Sequence, residues 1–522
     1  MYIMHYPIIP RPNKLIERKG FFILNEETCV KTSQECTKFV SYLKELVETP
    51  TGFTIDINSR DKVENTIEFL LNKNLALEKE GYHLNITEDK IVIKARESVG
   101  LFYGMQTLRQ LLPPEIESNS PIEDIEWKIP CVSIEDYPRF KWRGHMLDVC
   151  RHFFGVDVVK KTLNLMALQK LNVFHWHLTE DQGWRIEIKK YPKLTDIGSK
   201  RADTQLKHSR SRKFRGKPHG GFYTQEEIRE IVEYAKKRFI TVVPEIEIPG
   251  HSQAAIAAYP ELTCFGDNFE VASTFGVKKI IYCPGKDEVF KFWKDVLTEV
   301  MNLFPSEVIH IGGDEVPKDR WQECPDCQKL IKEKNLKNEE DLQVYVTNTM
   351  ASFLAENGRR LMGWNEILDE GLEPNAICHY WAHSEKEVLK HIKMGRDMVN
   401  SKNKFTYLNY GYKGMPLEKV YSFDPVLEGL EGEELKHVLG LETPLWTEWI
   451  PDQKTLEFQA FPRIMALAEI SWTSKENRDY TSFFQRLQAF EKRLDYLKVN
   501  YANEEERNPS LIARIRKLIR GK

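Results

Sequence analysis

Two acidic residues stand side by side at the end of an apolar run, Val308-Ile309-His310-Ile311-Gly312-Gly313-Asp314-Glu315. The alternation predicts a buried strand that breaks at two glycines and presents a carboxylate pair. In an α/β barrel the carboxyl ends of the strands are where chemistry is done. When two acids cleave a bond as general acid and separate nucleophile or base, they flank it with their carboxyls ~5–10 Å apart. Neighbours on one backbone approach from a shared side instead. That favours one acid protonating the leaving group while the other steadies a group that the substrate itself supplies. The structural alternative is an Asp-Glu pair that caps the following helix.

A strand of this kind needs partners, and the sequence supplies them. From Phe140 onward, candidate strands at 143–149, 173–179, 240–248, 308–312, 360–364, 376–381, 398–401 and 439–445 alternate with helical patterns. The clearest helices are 156–170, 225–237, 287–303, 340–356 and 454–472. Eight such units over ~350 residues predict a (β/α)₈ TIM barrel with inserted loops. The seventh unit is weakly marked, and Tyr407-Leu408-Asn409-Tyr410 belongs either to it or to its loop.

Ahead of the barrel, residues 1–136 read as a small α+β domain. Residues 81–86 and 90–95 alternate as paired strands around Thr87-Glu88-Asp89, and a helix over 98–112 stops at Pro113-Pro114. The Pro-, Glu- and Ser-rich tract from Pro114 to Asp136 reads as the linker. Residues 137–522 then form the catalytic-type domain, closing with a C-terminal helix.

Composition bounds the function. Of the 522 residues 41% are hydrophobic, enough for a large core, and the formal charge of −3 gives no general case for nucleic acid or an acidic membrane. No stretch approaches the ~20 apolar residues of a membrane span. No basic segment followed by an apolar run opens the chain, so a cytoplasmic protein is expected if the sequence is complete; a secreted or periplasmic one with its leader removed would begin the same way. Nine cysteines, unpatterned and odd in number, fit a reducing compartment. The one CxxC, Cys324-Pro325-Asp326-Cys327, has no second pair at zinc spacing, which points to buried thiols in a loop and not to a metal site.

The strand ends collect a consistent set of side chains. They carry Arg143 near the first strand, His175 to Asp181 at the second, and Glu245, Glu247 and His251 at the third. Asp314 and Glu315 lie at the fourth, Trp364 and Glu366 at the fifth, Trp381 at the sixth, and Trp446 and Glu448 at the eighth. Aromatic walls beside hydrogen-bonding acids suit a sugar ring, which has an apolar face and hydroxyl rims.

Six segments in order carry a resemblance. They are Trp142-Arg143-Gly144 with Leu147-Asp148-Val149 and Arg151-His152-Phe153, His177 to Arg185, Pro244 to His251, His310 to Glu315, Gly363-Trp364-Asn365-Glu366, and Leu445-Trp446-Thr447-Glu448. Together they resemble glycoside hydrolase family 20, the β-N-acetylhexosaminidases, from about Tyr137 to Trp472. The N-terminal unit, with Gly104-Met105-Gln106-Thr107-Leu108, is similar to that family's small non-catalytic domain.

The resemblance implies exo-acting removal of terminal β-linked GlcNAc or GalNAc by substrate-assisted catalysis, with retention of configuration. In that scheme the 2-acetamido oxygen attacks the anomeric carbon and forms an oxazolinium ion. It further implies that Glu315 is the acid/base and that Asp314 orients the acetamido nitrogen. Arg143 and Glu448 would hold ring hydroxyls, and Trp364, Trp381 and Trp446 would enclose the N-acetyl group and ring. Tyr407 would bond the acetamido oxygen, and Asp181 and His251 would form a hydrogen-bond chain towards the acid. No cofactor or metal is implied, and the partner is an oligosaccharide or small molecule ending in an N-acetylhexosamine. One position departs from the family pattern: Asn409 stands where many members have aspartate, keeping an acceptor but removing a negative charge near O4 and O6. A basic run from Lys200 to Lys217 follows the second strand and reads either as a solvated loop or as a feature of the catalytic face.

Two other classes fit parts of the pattern. His175-Trp176-His177 with Asp314 and Glu315 has the residue types of a metal-hydrolase ligand set. A catalytically silent glycan-binding relative is the other, against which the intact Asp314, Glu315 and Tyr407 argue.

Overall fold

The computed structural model describes residues 6–57 and 63–510. Eight parallel strands close into a barrel in chain order: Trp142–Asp148, Val173–His177, Thr241–Glu245, Val308–His310, Arg360–Trp364, Ile377–Tyr380, Met398–Asn400 and Val438–Leu445, the last pairing back on the first. These are the eight expected segments with most ends trimmed. The third stops at Glu245, although the Ile246 and Ile248 amides still donate to the carbonyls of His310 and Ile311.

Because side chains alternate along a strand, every second residue points into the barrel. Trp142, Val173, Val243, Val308, Met362, Ile377 and Val399 cluster into an apolar plug at the amino ends. Two residues further along, the same strands bring His175, Glu245, His310, Trp364 and His379 inward instead. The interior thus changes from apolar to charged towards the end where the chain leaves the strands.

Amphipathic helices surround the ring, among them Val156–Leu168, Gln225–Lys236, Asp287–Leu303 and Glu339–Glu356. Thr224 starts the second of these with a capping box, its hydroxyl accepting from Glu227 N–H while the Glu227 carboxylate accepts from Thr224 N–H. The helix expected over 454–472 is two helices, Gln453–Ala460 and Arg463–Trp472. Pro462 lacks the N–H that would continue the ladder.

Among the described residues, the N-terminal domain is a seven-stranded mixed sheet covered by the helices Thr37–Thr51 and Ser98–Leu111. The expected hairpin pairs Tyr82–Ile86 with Lys90–Ala95. Gly104 lets the second helix lie on this sheet, since a Cβ there would meet Ile93 Cγ2 at 2.6 Å. The linker expected over 114–136 is corrected: Lys128–Asp136 is a strand between Lys14–Ile23 and Tyr82–Ile86, with Ile129, Cys131, Val132 and Ile134 buried. Its alternation is hidden in sequence behind the Pro-, Glu- and Ser-rich residues that precede it.

Buried polar contacts join the two domains. Lys170 Nζ, fully buried, donates to Tyr82 Oη (2.9 Å) and Asp136 Oδ2 (3.0 Å), and Trp472 Nε1 donates to the same Asp136 carboxylate. Arg493 reaches from the helix Tyr480–Tyr496 to Glu117. Arg143 belongs to this interface. It is the second residue of the first barrel strand, at the amino end. Its guanidinium donates to both Glu80 carboxylate oxygens (3.0 and 2.8 Å), to the Phe140 and Lys170 carbonyls, and to Tyr103 Oη.

Removing one partner of such a buried pair typically costs ~3–5 kcal/mol. Arg143→Ala is therefore expected to lower unfolding free energy by about that amount, with Arg143→Lys recovering only part because an ammonium cannot form the fork. Equilibrium denaturation checks this; an unchanged midpoint for Arg143→Ala contradicts it.

Candidate active site

Glu245, at the carboxyl end of the third strand, anchors the floor of the site. Its Oε1 accepts from Trp364 Nε1–H at 2.9 Å, and its Oε2 lies 3.1 Å from His175 Nε2 and in a short contact with His177 Nδ1. Glu442 holds the other side of His175 (2.7 Å) and accepts from Trp142 Nε1–H (3.0 Å). Burial alone would depress both imidazoles, but Glu442 and Glu245 lift His175 to about 10, and Glu245 with Glu180 lifts His177 to about 9. The same pairing holds Glu442 down at about 2 despite its burial. His379 falls to about 3, because burial together with His310 and His175 outweighs the raising effect of Glu442 and Glu245, and it stacks on Trp364, ring centroids 4.1 Å apart. Each ring nitrogen of His175 and His177 lies within 3.4 Å of a carboxylate oxygen of Glu180, Glu245 or Glu442.

Above this floor the fourth strand turns at Gly312 and Gly313, with φ of +67° and +91°. A Cβ at Gly312 would lie 1.8 Å from Glu247 Oε2, and one at Gly313 would lie 2.6 Å from Ile367 Cγ2, so both glycines are required. Glu315 itself has φ +50°, a conformation disfavoured for a residue with a side chain. Gln343 Nε2 donates to the Gly313 carbonyl (2.7 Å) and helps hold the turn. Asp314 emerges nearly buried and Glu315 43% exposed, their oxygens 3.7 and 3.8 Å from the same atom, His251 Nε2.

His251 is oriented from behind. Its Nδ1 lies 2.8 Å from Glu180 Oε1 and 3.4 Å from Asp181 Oδ2. Glu180 is therefore the nearer partner in a chain expected to run through Asp181. Asp181 Oδ1 accepts from the Gln253 amide (3.0 Å), tying the two loops together. Burial opposes a charge on His251, yet Glu180 and Asp314 raise it well above the usual imidazole range. Asp314 is pushed up to about 7, first by burial and then by Glu366, Glu245 and Glu315, against the lowering effect of His251.

Aromatic rings form the wall. Trp381 stacks on Tyr407 (6.0 Å, 15°), Tyr407 meets Trp446 (6.2 Å), and Trp446 meets Trp364 (5.7 Å). Trp381 Nε1 donates to Glu366. Tyr407 lies in the loop after the seventh strand, following the short helix Asn403–Thr406. Asn409 follows it.

Arg143 is not here. The arginine of this site is Arg151, three residues past the end of the first strand. It lies 2.8 Å from Glu180 and 3.4 Å from Asp148, with its guanidinium 4.9 Å from the Trp446 ring centroid. Asp148 in turn accepts from Thr447 N–H and Oγ–H, one residue from Glu448. The sequence signal was present, since Arg151 follows its strand whereas Arg143 begins it. Of the basic run, Arg201 is buried and donates to the carbonyls of Arg151 and Gln182, bracing Arg151. Lys200, Lys207, Arg210, Arg212, Lys213, Arg215 and Lys217 are exposed.

Asp314 Oδ1, Asn409 Oδ1 and Glu448 Oε2 are buried acceptors without a protein hydrogen-bond partner. Acceptors left open together around an aromatic wall are what a ligand rich in N–H and O–H donors would satisfy.

The family model described as glycosyl hydrolase family 20, catalytic domain, matches residues 140–475, and that for domain 2 of the family matches residues 5–137. The chain belongs to glycosyl hydrolase family 20. A β-hexosaminidase of Porphyromonas gingivalis is 41% identical over 509 residues, which cover 95% of this chain and 64% of that protein. One from Vibrio furnissii is 36% identical over 478 residues, covering 88% of this chain and 76% of the relative. The crystal structure of a GH20 exo β-N-acetylglucosaminidase from Vibrio harveyi in complex with N-acetylglucosamine superposes with a TM-score of 0.86 at 32% identity, covering 96% of this chain and 78% of that one. The β-N-acetylhexosaminidase of Bacteroides fragilis does so with a TM-score of 0.81 at 32% identity, covering 95% and 96%.

The raised Asp314 carries a stability prediction. An unfolded aspartate titrates near ~3.9, so the folded state binds this proton more tightly and loses stability as pH rises from about 4 through about 7. Asp314→Asn removes the penalty. Its melting temperature should exceed that of the wild type clearly at pH 8 and by much less at pH 4; a gain independent of pH contradicts the assignment.

Proposed function

We propose that this chain is an exo-acting β-N-acetylhexosaminidase that hydrolyses terminal β-linked GlcNAc or GalNAc from glycans or glycoconjugates, retaining configuration through an oxazolinium intermediate. The observation that carries the mechanism is the placement of Asp314 and Glu315 beside one imidazole nitrogen, 3.7 and 3.8 Å away. Two carboxylates set side by side suit one acid and one stabiliser, with the nucleophile drawn from the substrate.

In this reading Glu315, the more exposed of the pair, protonates the glycosidic oxygen and afterwards takes a proton from water. Asp314, largely buried, accepts from the acetamido N–H and stabilises the positive charge that develops as the acetamido oxygen closes on the anomeric carbon. Tyr407 donates to that oxygen. Trp364 forms the base of the pocket, with Trp381 and Trp446 beside it. Arg151 and Glu448 hold ring hydroxyls, and Asn409 accepts from another. His251, kept cationic by Glu180 and Asp314, steadies both acids between the two proton transfers. The buried acceptors of Glu448 and Asn409 support the assignment of hydroxyl contacts.

Glu315→Gln keeps the shape but cannot deliver a proton, and a positioned acid typically contributes 10²–10⁴-fold. The loss in kcat/KM should lie in that range for alkyl or 4-methoxyphenyl glycosides and shrink sharply for dinitrophenyl glycosides, whose leaving group needs no proton. Equal losses across leaving groups would refute the role.

A further inference from the structure

Four of the nine cysteines meet at one point outside the catalytic pocket. Cys264, Cys283, Cys324 and Cys327 are all buried, and their sulfur atoms lie within 4.8 Å of one another. Cys283 Sγ is 3.7 Å from Cys324 Sγ and 3.5 Å from Cys327 Sγ, and Cys327 Sγ is 4.0 Å from Cys264 Sγ. A tetrahedron of thiolates at the Zn–S distance of ~2.3 Å has S···S edges of ~3.8 Å. Disulfides would sort the four into two pairs at ~2.05 Å. Here Cys283 and Cys327 each approach two others.

The backbone is shaped for this convergence. Thr263 and Tyr282 form an antiparallel bridge that brings together the segments carrying Cys264 and Cys283. Cys324 and Cys327 frame the first turn of the helix Pro325–Glu333, so the CxxC presents both sulfurs in one direction. Gly285 lies against this turn so closely that a Cβ would be 2.3 Å from the Asp326 carbonyl carbon and 2.4 Å from the Cys327 nitrogen. Ile281, Val316, Trp321, Ile331 and Leu342 pack around the sulfurs. Lys286 Nζ donates to the carbonyls of Glu261 and Thr263 next to Cys264 (2.8 Å each), a cation beside what would be an anionic cluster.

We propose that these four cysteines bind a structural zinc ion as a closed tetrathiolate. Four protein ligands leave no coordination position for water or substrate, so the ion takes no part in the hydrolysis. Its role is to join two catalytic loops. Val316 of the cluster follows Glu315 directly, Tyr282 N–H donates to the Pro249 carbonyl two residues before His251, and a Cβ on Gly250 would touch the Asp314 carbonyl and Val316. The loop carrying the two acids and the loop carrying His251 are thus fastened to one metal. The spacing hides this in the sequence: Cys264 and Cys283 are neither a close pair nor near the CxxC, so Cys324 and Cys327 read as isolated buried thiols.

The test is metal analysis of the full-length protein as purified without added zinc and after dialysis against EDTA. About one zinc per chain, retained through dialysis and released as a mercurial reagent titrates four thiols, is expected. Cys327→Ser and Cys264→Ser should reduce zinc at least tenfold, whereas Cys378→Ser, another buried cysteine, should keep it. The cobalt-substituted wild type should show the thiolate-to-metal charge transfer and d–d absorption of a tetrahedral tetrathiolate, which needs no variant to fold. Metal-free protein with four free thiols overturns the proposal. So do two disulfides in mass spectra of unreduced peptides, one iron per chain in place of zinc, or zinc that survives both serine variants.

Discussion

The site depends on one buried carboxylate. Glu245 sits at the carboxyl end of the third strand, fully removed from solvent, and is tolerable there because Trp364, His310, His175 and His177 meet its two oxygens. Glu442 completes the balance from the eighth strand. Two anions and two cations in one layer neutralise each other, and each fixes the rotamer of its neighbours. The indole that floors the pocket is set by its hydrogen bond to Glu245. The imidazole of His177 leads through Glu180 to Arg151 and His251.

From this layer outward the order of support is clear. Glu180 is shared by Arg151, His177 and His251, so the arginine assigned to ring hydroxyls and the histidine that faces the two acids are positioned by the same side chain. The Gly312-Gly313 turn then lifts Asp314 and Glu315 over Glu247 and Ile367, and leaves Glu315 in a conformation that the surrounding structure must enforce. The N-terminal domain contributes at the opposite end of the barrel, through Glu80, Asp136 and Glu117. It supports the amino ends of the strands and stays away from the chemistry.

Much of this was legible in the sequence because two periods dominate it. Seven of the eight barrel segments are clearly marked in it and the seventh in order only weakly, and the Gly-Gly-Asp-Glu exit marks the chemical end of one of them. The errors have physical reasons. Arg143 was grouped with the strand-end residues although it starts its strand, and direction alone separates it from Arg151. The strand 128–136 was submerged in the composition of the residues before it. The preference of His251 for Glu180 over Asp181, and the convergence of Cys264 and Cys283 on a distant CxxC, are products of loop paths that no local pattern encodes.

In the proposed mechanism the nucleophile belongs to the substrate, with Asp314 as its orienting and stabilising partner. The most direct measurement is kcat/KM for aryl β-glycosides whose 2-acetamido methyl carries none, one, two or three fluorines. Fluorine weakens the carbonyl oxygen as a nucleophile while barely changing its size. A steep, monotonic fall along the series is predicted in the wild type. A flat series, with a glycosyl ester trapped on Asp314 or Glu315, would instead make an enzyme carboxylate the nucleophile.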